Sequence, residues 1–228
     1  MRSPKRTEAP CAAGALRRHF LMTAAATLLT AGAAIAAPLG DGALPPPQTE
    51  GGMPLMRALK ERHTVRAFDS RPLAMQSVSN LLWAAFGVNR PASGGRTAPS
   101  AHDQQEIDVY VATADGVFLY DAARHWLTRV RNEDLRALTG TQSHAREAPL
   151  TLVYVAEERR MRDDETWRRF YAAADSSFIA QNVYLFCASE GLGTVVFASI
   201  ERERLASAMR LAPSQRIVLA QSVGYPKR

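Results

Sequence analysis

The stretch from Asp163 to Glu190 reads as one long helix stopped by Gly191. Trp167, Phe170, Ala174 and Phe178 form one apolar stripe along it, and Ile179, Val183 and Phe186 form another. A helix that is apolar on more than one side must be covered from more than one direction. In a chain of 228 residues, cover of that extent points to a partner subunit across one face.

The other elements must be arranged around this helix. Pro54 to Arg62 predicts a short helix, with Pro at its start and Leu55 and Leu59 one turn apart. A second helix starts near Pro72 and runs to about Phe86, and Gly87 to Ser100 reads as a loop. "IDVYVAT" (Ile107 to Thr113) alternates and is β-branched, as a strand requires. "GVFLYDA" follows after Ala114-Asp115, which predicts a hairpin, and "HWLTRV" adds a short strand. Glu133 to Leu138 reads as a short helix and Leu150 to Glu157 as a buried strand. Beyond Gly191, "GTVVFAS", "ERERLASAMRL" and "QRIVLAQSVG" read as strand, helix and strand. Helices mixed with early hairpins predict an α+β fold rather than a βαβ array. Residues 37–52, with "GDGALPPPQTEGG", read as a flexible Pro/Gly linker, so the folded body is expected over 53–228.

The charge is unevenly placed. The first 36 residues hold Arg2, Lys5, Arg6, Arg17 and Arg18 against Glu8, which is +4 of the total +6 and leaves the body at +2. A body so near neutrality gives little basis for a nucleic-acid partner. No charge occurs from Phe20 to Gly40, and Ala34-Ile35-Ala36 matches an A-x-A cleavage pattern. Arg17-Arg18-x-Phe20-Leu21 resembles a twin-arginine signal, which implies a signal peptide over 1–36 and a periplasmic or exported mature protein. The stretch is long enough to span a membrane. Its shortage of large aliphatics and its A-x-A end favour a cleaved leader, so contact with the membrane is expected to be transient. Cys11 lies in this leader. Cys187, the remaining thiol, sits among Leu185, Phe186 and Ala188 and reads as core. Neither Cys nor His shows metal-ligand spacing.

Three segments carry candidate chemistry. "RHTVR" places Arg62, His63, Thr64 and Arg66 together; two guanidinium forks and a hydroxyl suit a dianionic phosphate, and equally a solvated basic face at a helix end. "RTAPSAHDQQ" offers Pro99, Ser100, Ala101, Asp103 and Gln105 as a hydrogen-bonding rim for a planar heterocycle, or simply as a connecting loop. "EGLGT" offers Gly191, Gly193 and Thr194; it precedes a strand, which fits a helix cap and turn better than a dinucleotide loop. With no nucleophile pattern and no metal cluster, no side chain is assigned a catalytic role and demanding chemistry would fall to a cofactor.

In this order the segments resemble the nitroreductase family of FMN-dependent oxidoreductases. "RHTVRAF" is similar to its phosphate motif and "RTAPSAHDQQ" to its flavin loop. The helix and "GLGT" are similar to its central helix and turn, and "SVGYPKR" to its closing strand and basic pair. The resemblance implies a central, mostly antiparallel sheet surrounded by helices, with the long helix at the interface of an entwined homodimer that holds FMN. It implies that Arg62, His63, Thr64 and Arg66 clamp the ribityl chain and phosphate, and that Lys227 and Arg228 close on the same phosphate. Pro99, Ser100, Ala101 and Gln105 would border the ring, and the backbone from Gly193 and Thr194 to Ser199 would pass near N5. Asp103 stands where the family usually has Asn, and Ser177 where it often has Gly. The implied activity is ping-pong transfer of electrons or hydride through flavin N5, between a small-molecule donor and a small organic acceptor of nitro or quinone type. Two rivals are an exported flavin dehydrogenase reoxidised by oxygen or quinone, and a flavin- or anion-binding protein without turnover. An exported enzyme would also need a donor other than soluble nicotinamide.

Overall fold

The computed structural model describes residues 38–227. The expected leader, its twin arginines, Cys11 and Arg228 lie outside the described residues. Among the described residues there are nine strands: β1 (Gly42–Ala43), β2 (Val88–Arg90), β3 (Gly95–Arg96), β4 (Ile107–Thr113), β5 (Gly116–Asp121), β6 (Trp126–Arg131), β7 (Leu150–Glu157), β8 (Gly193–Phe197) and β9 (Gln215–Gly224). The helices are α1 (Leu55–Glu61), α2 (Met75–Phe86), α3 (Ser143–Glu147), α4 (Glu165–Ser189) and α5 (Arg202–Met209). Seven strands form one sheet in the order β1-β6-β5-β4-β7-β9-β8, antiparallel throughout. The fold is therefore α+β, as the mixed pattern predicts.

Period-2 alternation divides the sheet between two cores. Val109, Val111, Leu152 and Tyr154 face α2 and α4, where they meet Leu81, Leu82, Ile179 and Val183. Tyr110, Ala112, Val153 and Val155 face the opposite way, toward Leu205 and Met209 of α5. Strands covered on both faces read as continuous apolar runs, which is why "LTLVYVA" does not alternate. Each such large side chain contributes roughly 1.5–3 kcal/mol on burial.

Local chemistry fixes the ends of α4. The Asp164 carboxylate accepts from the Trp167 N–H at 3.1 Å, satisfying one of the free donors of the first turn. At the other end Gly191 takes φ +66, and the Leu192 N–H reaches back to the Cys187 carbonyl at 2.8 Å. The two apolar stripes part company. Ile179 and Val183 are buried in the domain, whereas Trp167, Phe170 and Phe178 are about half exposed. Leu55, Met56 and Leu59 of α1, which packs on α4, are exposed as well. Cys187 is buried, as expected of a core thiol. Among the described residues no helix is long and apolar enough to cross a membrane.

The segment expected as a flexible linker is a packed strap over residues 38–53. β1 pairs with the edge of β6, and Leu39 and Leu44 are buried. The Leu39 N–H bonds Asp115 at 2.8 Å and the Met53 N–H bonds Ser189 at 2.7 Å. A proline run lacks N–H donors, but its carbonyls remain acceptors. Ser79 donates to the Pro45 carbonyl at 2.6 Å and Gln76 to that of Pro46 at 2.9 Å. The loop expected over 87–100 contains the β2–β3 hairpin. The helix expected over 133–138 is a single 3-10 turn, Arg136–Leu138, and α3 had no counterpart in the sequence reading.

Candidate functional site

The chain leaves α1 at Arg62 with ψ 122, so residues 63–69 run extended. They are held from both sides by backbone bonds. The Val65 N–H donates to the Thr194 carbonyl of β8 at 3.0 Å. The Lys227 N–H donates to the Ala67 carbonyl at 3.0 Å, the Asp69 N–H donates to that of Tyr225 at 2.9 Å, and Phe68 bridges to Pro226. Gly193 permits this approach: a Cβ there would lie 2.7 Å from Val65 Cγ1. Arg62, His63, Thr64, Arg66, Gly193, Thr194 and Lys227 are thereby gathered into one cradle, although Lys227 lies far along the sequence from the rest.

Tyr184 of α4 anchors the cradle from below. Its hydroxyl lies 3.2 Å from Thr64 Oγ1 and accepts from the Val196 N–H at 3.2 Å. The Arg62 guanidinium lies over its ring, 5.1 Å from the centroid. His63 Nδ1 is 2.8 Å from the Glu61 carbonyl oxygen. A cavity of about 180 Å³ opens here, lined by Glu61, His63, Tyr184, Gly191, Thr194 and Pro226. The Thr194 hydroxyl is buried and donates to the Ser222 carbonyl at 2.8 Å, which leaves no side-chain donor of Thr194 for a ligand. Near Arg66, His144 is buried with Nε2 unpartnered; burial first and the Arg66 charge second push its pKa down, which favours the neutral ring.

Some arginines are matched to carboxylates, whereas others, such as Arg71 and Arg146, form no ion pair among the described residues. Arg57 pairs with Glu61, Arg159 with Glu157, Arg160 with Asp108 and Arg216 with Glu158. Among the described residues Arg62, Arg66 and Lys227 form no such pair.

The second cluster is the loop around Ala101–Asp103, a single 3-10 turn. His102, Asp103 and Gln105 hold φ of 53, 52 and 48, the left-handed region that costs an L-residue roughly 1–2 kcal/mol each. Side chains maintain that shape. Ser100 Oγ accepts from the Gln105 N–H at 3.0 Å, and the Gln105 amide donates to Asp103 at 3.0 Å. Arg96 Nε donates to the Gln105 side-chain amide oxygen Oε1 at 2.8 Å. The Ala101 N–H donates to Asp175 Oδ2 of α4 at 2.8 Å, while Pro99 stays exposed. Beneath the loop Glu106 is only 1% exposed, and neither carboxylate oxygen has a hydrogen-bond donor. Desolvation first, then the neighbouring Asp175, push its pKa up to about 7.

Cradle and loop attach to one helix at different heights. Tyr184 and Asp175 are nine residues apart on α4, about 13 Å along its axis. The structure thus brings the basic residues together and the loop residues together, as two half-sites. Tyr184, His144, Asp175 and Glu106 went unread in the sequence. The available signal was a polar side chain inside an apolar pattern, as Asp175 is in "AADSSFI".

This all-antiparallel sheet, flanked by helices and served by one long helix, defines a nitroreductase-like α+β protein. The profile of the nitroreductase family matches residues 59–225. A crystal structure from Ralstonia eutropha JMP134, provisionally assigned as a nitroreductase, is 41% identical with a TM-score of 0.78, covering 85% of this chain and 97% of its own. A protein of Methanocaldococcus jannaschii, likewise provisionally a nitroreductase, is 35% identical over 60% of this chain and 74% of its own length. The NADPH:FMN oxidoreductase of Vibrio harveyi shares the fold at 19% identity and a TM-score of 0.58, over 76% of this chain and 69% of its own. The chain belongs to the nitroreductase family of oxidoreductases.

Proposed function

We propose that the cradle holds the phosphate of FMN, that the loop borders its ring, and that the protein is an FMN-dependent oxidoreductase of small organic acceptors such as nitro or quinone compounds. The observation carrying this reading is the backbone pinning that brings the strand bearing Arg62 and Arg66 beside Lys227, none of the three being in an ion pair among the described residues. A phosphate of about −1.5 to −2 charge matches that set, and Arg228 is proposed as a further donor. The Vibrio harveyi relative, named for FMN, supports the choice of cofactor.

Bound FMN would supply the redox chemistry at its ring. The chain's own residues bind and orient. Arg62 donates to the phosphate while its other face rests on Tyr184, and the Thr64 hydroxyl, held by the same Tyr, adds a neutral donor. The Gln105 side-chain amide is taken up within the loop by Arg96, Gly94 and Asp103, so it shapes the loop edge rather than donating to the ring. Asp103 places a carboxylate in the same loop, which would oppose an anionic ring and lower its reduction potential.

The half-exposed Trp167, Phe170 and Phe178, with Leu55, Met56 and Leu59, favour a homodimer, and half-sites from two copies would then complete each FMN site. Export by a twin-arginine signal, and a donor other than soluble nicotinamide, remain part of the proposal. The test begins with a visible spectrum of the purified protein and identification of any released chromophore. FMN that bleaches with a donor and recolours with a quinone or nitroaromatic acceptor supports the enzyme. A colourless protein that fails to take up FMN overturns it, and colour without turnover favours a carrier.

A further inference from the structure

β8 is the last strand of its sheet, so among the described residues its outer side has no neighbouring strand. Two backbone groups on that side are nevertheless taken. The Thr194 carbonyl accepts from the Val65 N–H at 3.0 Å. Further along, the Val196 N–H donates to the Tyr184 hydroxyl at 3.2 Å, so a side chain of α4 completes what the extended segment begins.

That bond bears on the direction of the next one. Tyr184 is buried, and its ring lies under the Arg62 guanidinium. A hydroxyl has one proton to give and two lone pairs with which to accept. The Tyr184 oxygen accepts from Val196 and lies 3.2 Å from Oγ1 of the half-buried Thr64, where either atom can be the donor. A phosphate oxygen settles the choice, because an anionic oxygen only accepts. Thr64 then turns its proton to the ligand, and Tyr184 turns its own to Thr64. Thr194, the other hydroxyl of the cradle, donates to the Ser222 carbonyl and cannot substitute. Each donor in such a chain polarises the next. At 3.2 Å both contacts of Tyr184 stand at the long end for hydrogen bonds, with room to tighten when an acceptor arrives.

We propose that Tyr184 is a positioning residue: it is the middle of an ordered donor chain that runs from the Val196 N–H through Tyr184 Oη and Thr64 Oγ1 to an anionic oxygen in the cradle. The chain favours a phosphate over a terminal hydroxyl, which is the weaker acceptor. It rests on the reading of the cradle as a phosphate site and extends that site inward to the edge of the sheet.

The test is a double-substitution cycle in the whole, flavin-free protein. FMN and riboflavin are titrated by quenching of flavin fluorescence, and inorganic phosphate by its effect on thermal unfolding. Thr64→Val removes the last donor and should weaken FMN binding about tenfold. Tyr184→Phe keeps a ring under Arg62 and removes only the hydroxyl, so FMN binding should weaken about threefold. Because the chain is serial, the double variant should bind FMN no more weakly than Thr64→Val alone. Thr64→Ser should restore both the affinity and its dependence on Tyr184. Riboflavin should be nearly indifferent to all of these variants. A purely structural role for Tyr184 predicts otherwise: equal losses for the two flavins, carried unchanged into the Thr64→Val background. Equal or additive losses, or an FMN affinity unmoved by Tyr184→Phe, overturn the proposal. Where FMN does not bind, the phosphate arm decides. Stabilisation by phosphate that weakens in each single variant, and no further in the double, keeps the donor chain while the flavin assignment falls. Absence of any response to phosphate then overturns both.

Discussion

The cradle and the loop perform neighbouring tasks with different materials. The cradle is held by backbone bonds: Val65 to Thr194, Ala67 to Lys227 and Asp69 to Tyr225. The loop is held chiefly by side chains, through Ser100, Gln105, Arg96 and Asp175, against three left-handed residues. Backbone bonds survive most side-chain changes and do not titrate. A side-chain scaffold can be tuned by single substitutions and by pH. If the cradle holds a phosphate and the loop borders a ring, as proposed, the first grip should be nearly constant across conditions and the second adjustable.

The cradle should break only where its backbone approach is blocked. Gly193→Val puts carbon into space occupied by Val65, and an overpacked interior site costs about 1–3 kcal/mol. We expect a loss of about 3 kcal/mol in chemical unfolding, with FMN and riboflavin binding both impaired. Arg62→Ala spares the backbone and removes one charge-assisted bond, worth roughly 1.5–3 kcal/mol. FMN binding should weaken about ten- to 150-fold while riboflavin, lacking the phosphate, is nearly unaffected. Equal losses for the two ligands would place Arg62 in the fold rather than on the phosphate.

The loop should respond to pH. The Glu106 pKa rises from about 4.5 unfolded to about 7 folded. Between those values the unfolded chain releases a proton that the folded chain keeps, so stability falls as pH rises and the loss is complete above about 7. Glu106→Gln should gain about 1–2 kcal/mol over the wild type at pH near 8 and nothing near pH 4, as read from urea midpoints. The smallest effect belongs to His102→Gly, which relieves one positive φ at an exposed position. A gain of roughly 0.5–1 kcal/mol in thermal unfolding is expected, reduced by loss of the Tyr171 contact.

The sequence was legible where its signals are local. Periodicity located the sheet strands from Ile107 onward and the long helix, because apolar repeats report directly on burial. The cradle's basic segment was legible because four of its residues fall within five positions, Arg62 to Arg66. Three features were hidden, each for a physical reason. The strap was misread because a Pro/Gly run signals the lack of backbone donors and says nothing about its carbonyls, which Ser79 and Gln76 fill. The β2–β3 hairpin hid inside a Gly- and Ser-rich loop because its strands are two or three residues long. The burial of Glu106 and Asp175 is made by tertiary packing, and each carboxylate alone reads as an ordinary polar residue.

The Ala67–Lys227 bond also bears on the order in which the molecule is made. Residues 225–227 reach 67–69 only once β9 lies against β7, since β9 leads directly into them. Contacts so distant in sequence carry a large loop-closure entropy and follow local pairing during folding. The cradle is thus among the last features to close. A phosphate ligand cannot template early collapse; it meets a finished sheet and slows only the chain's return to disorder.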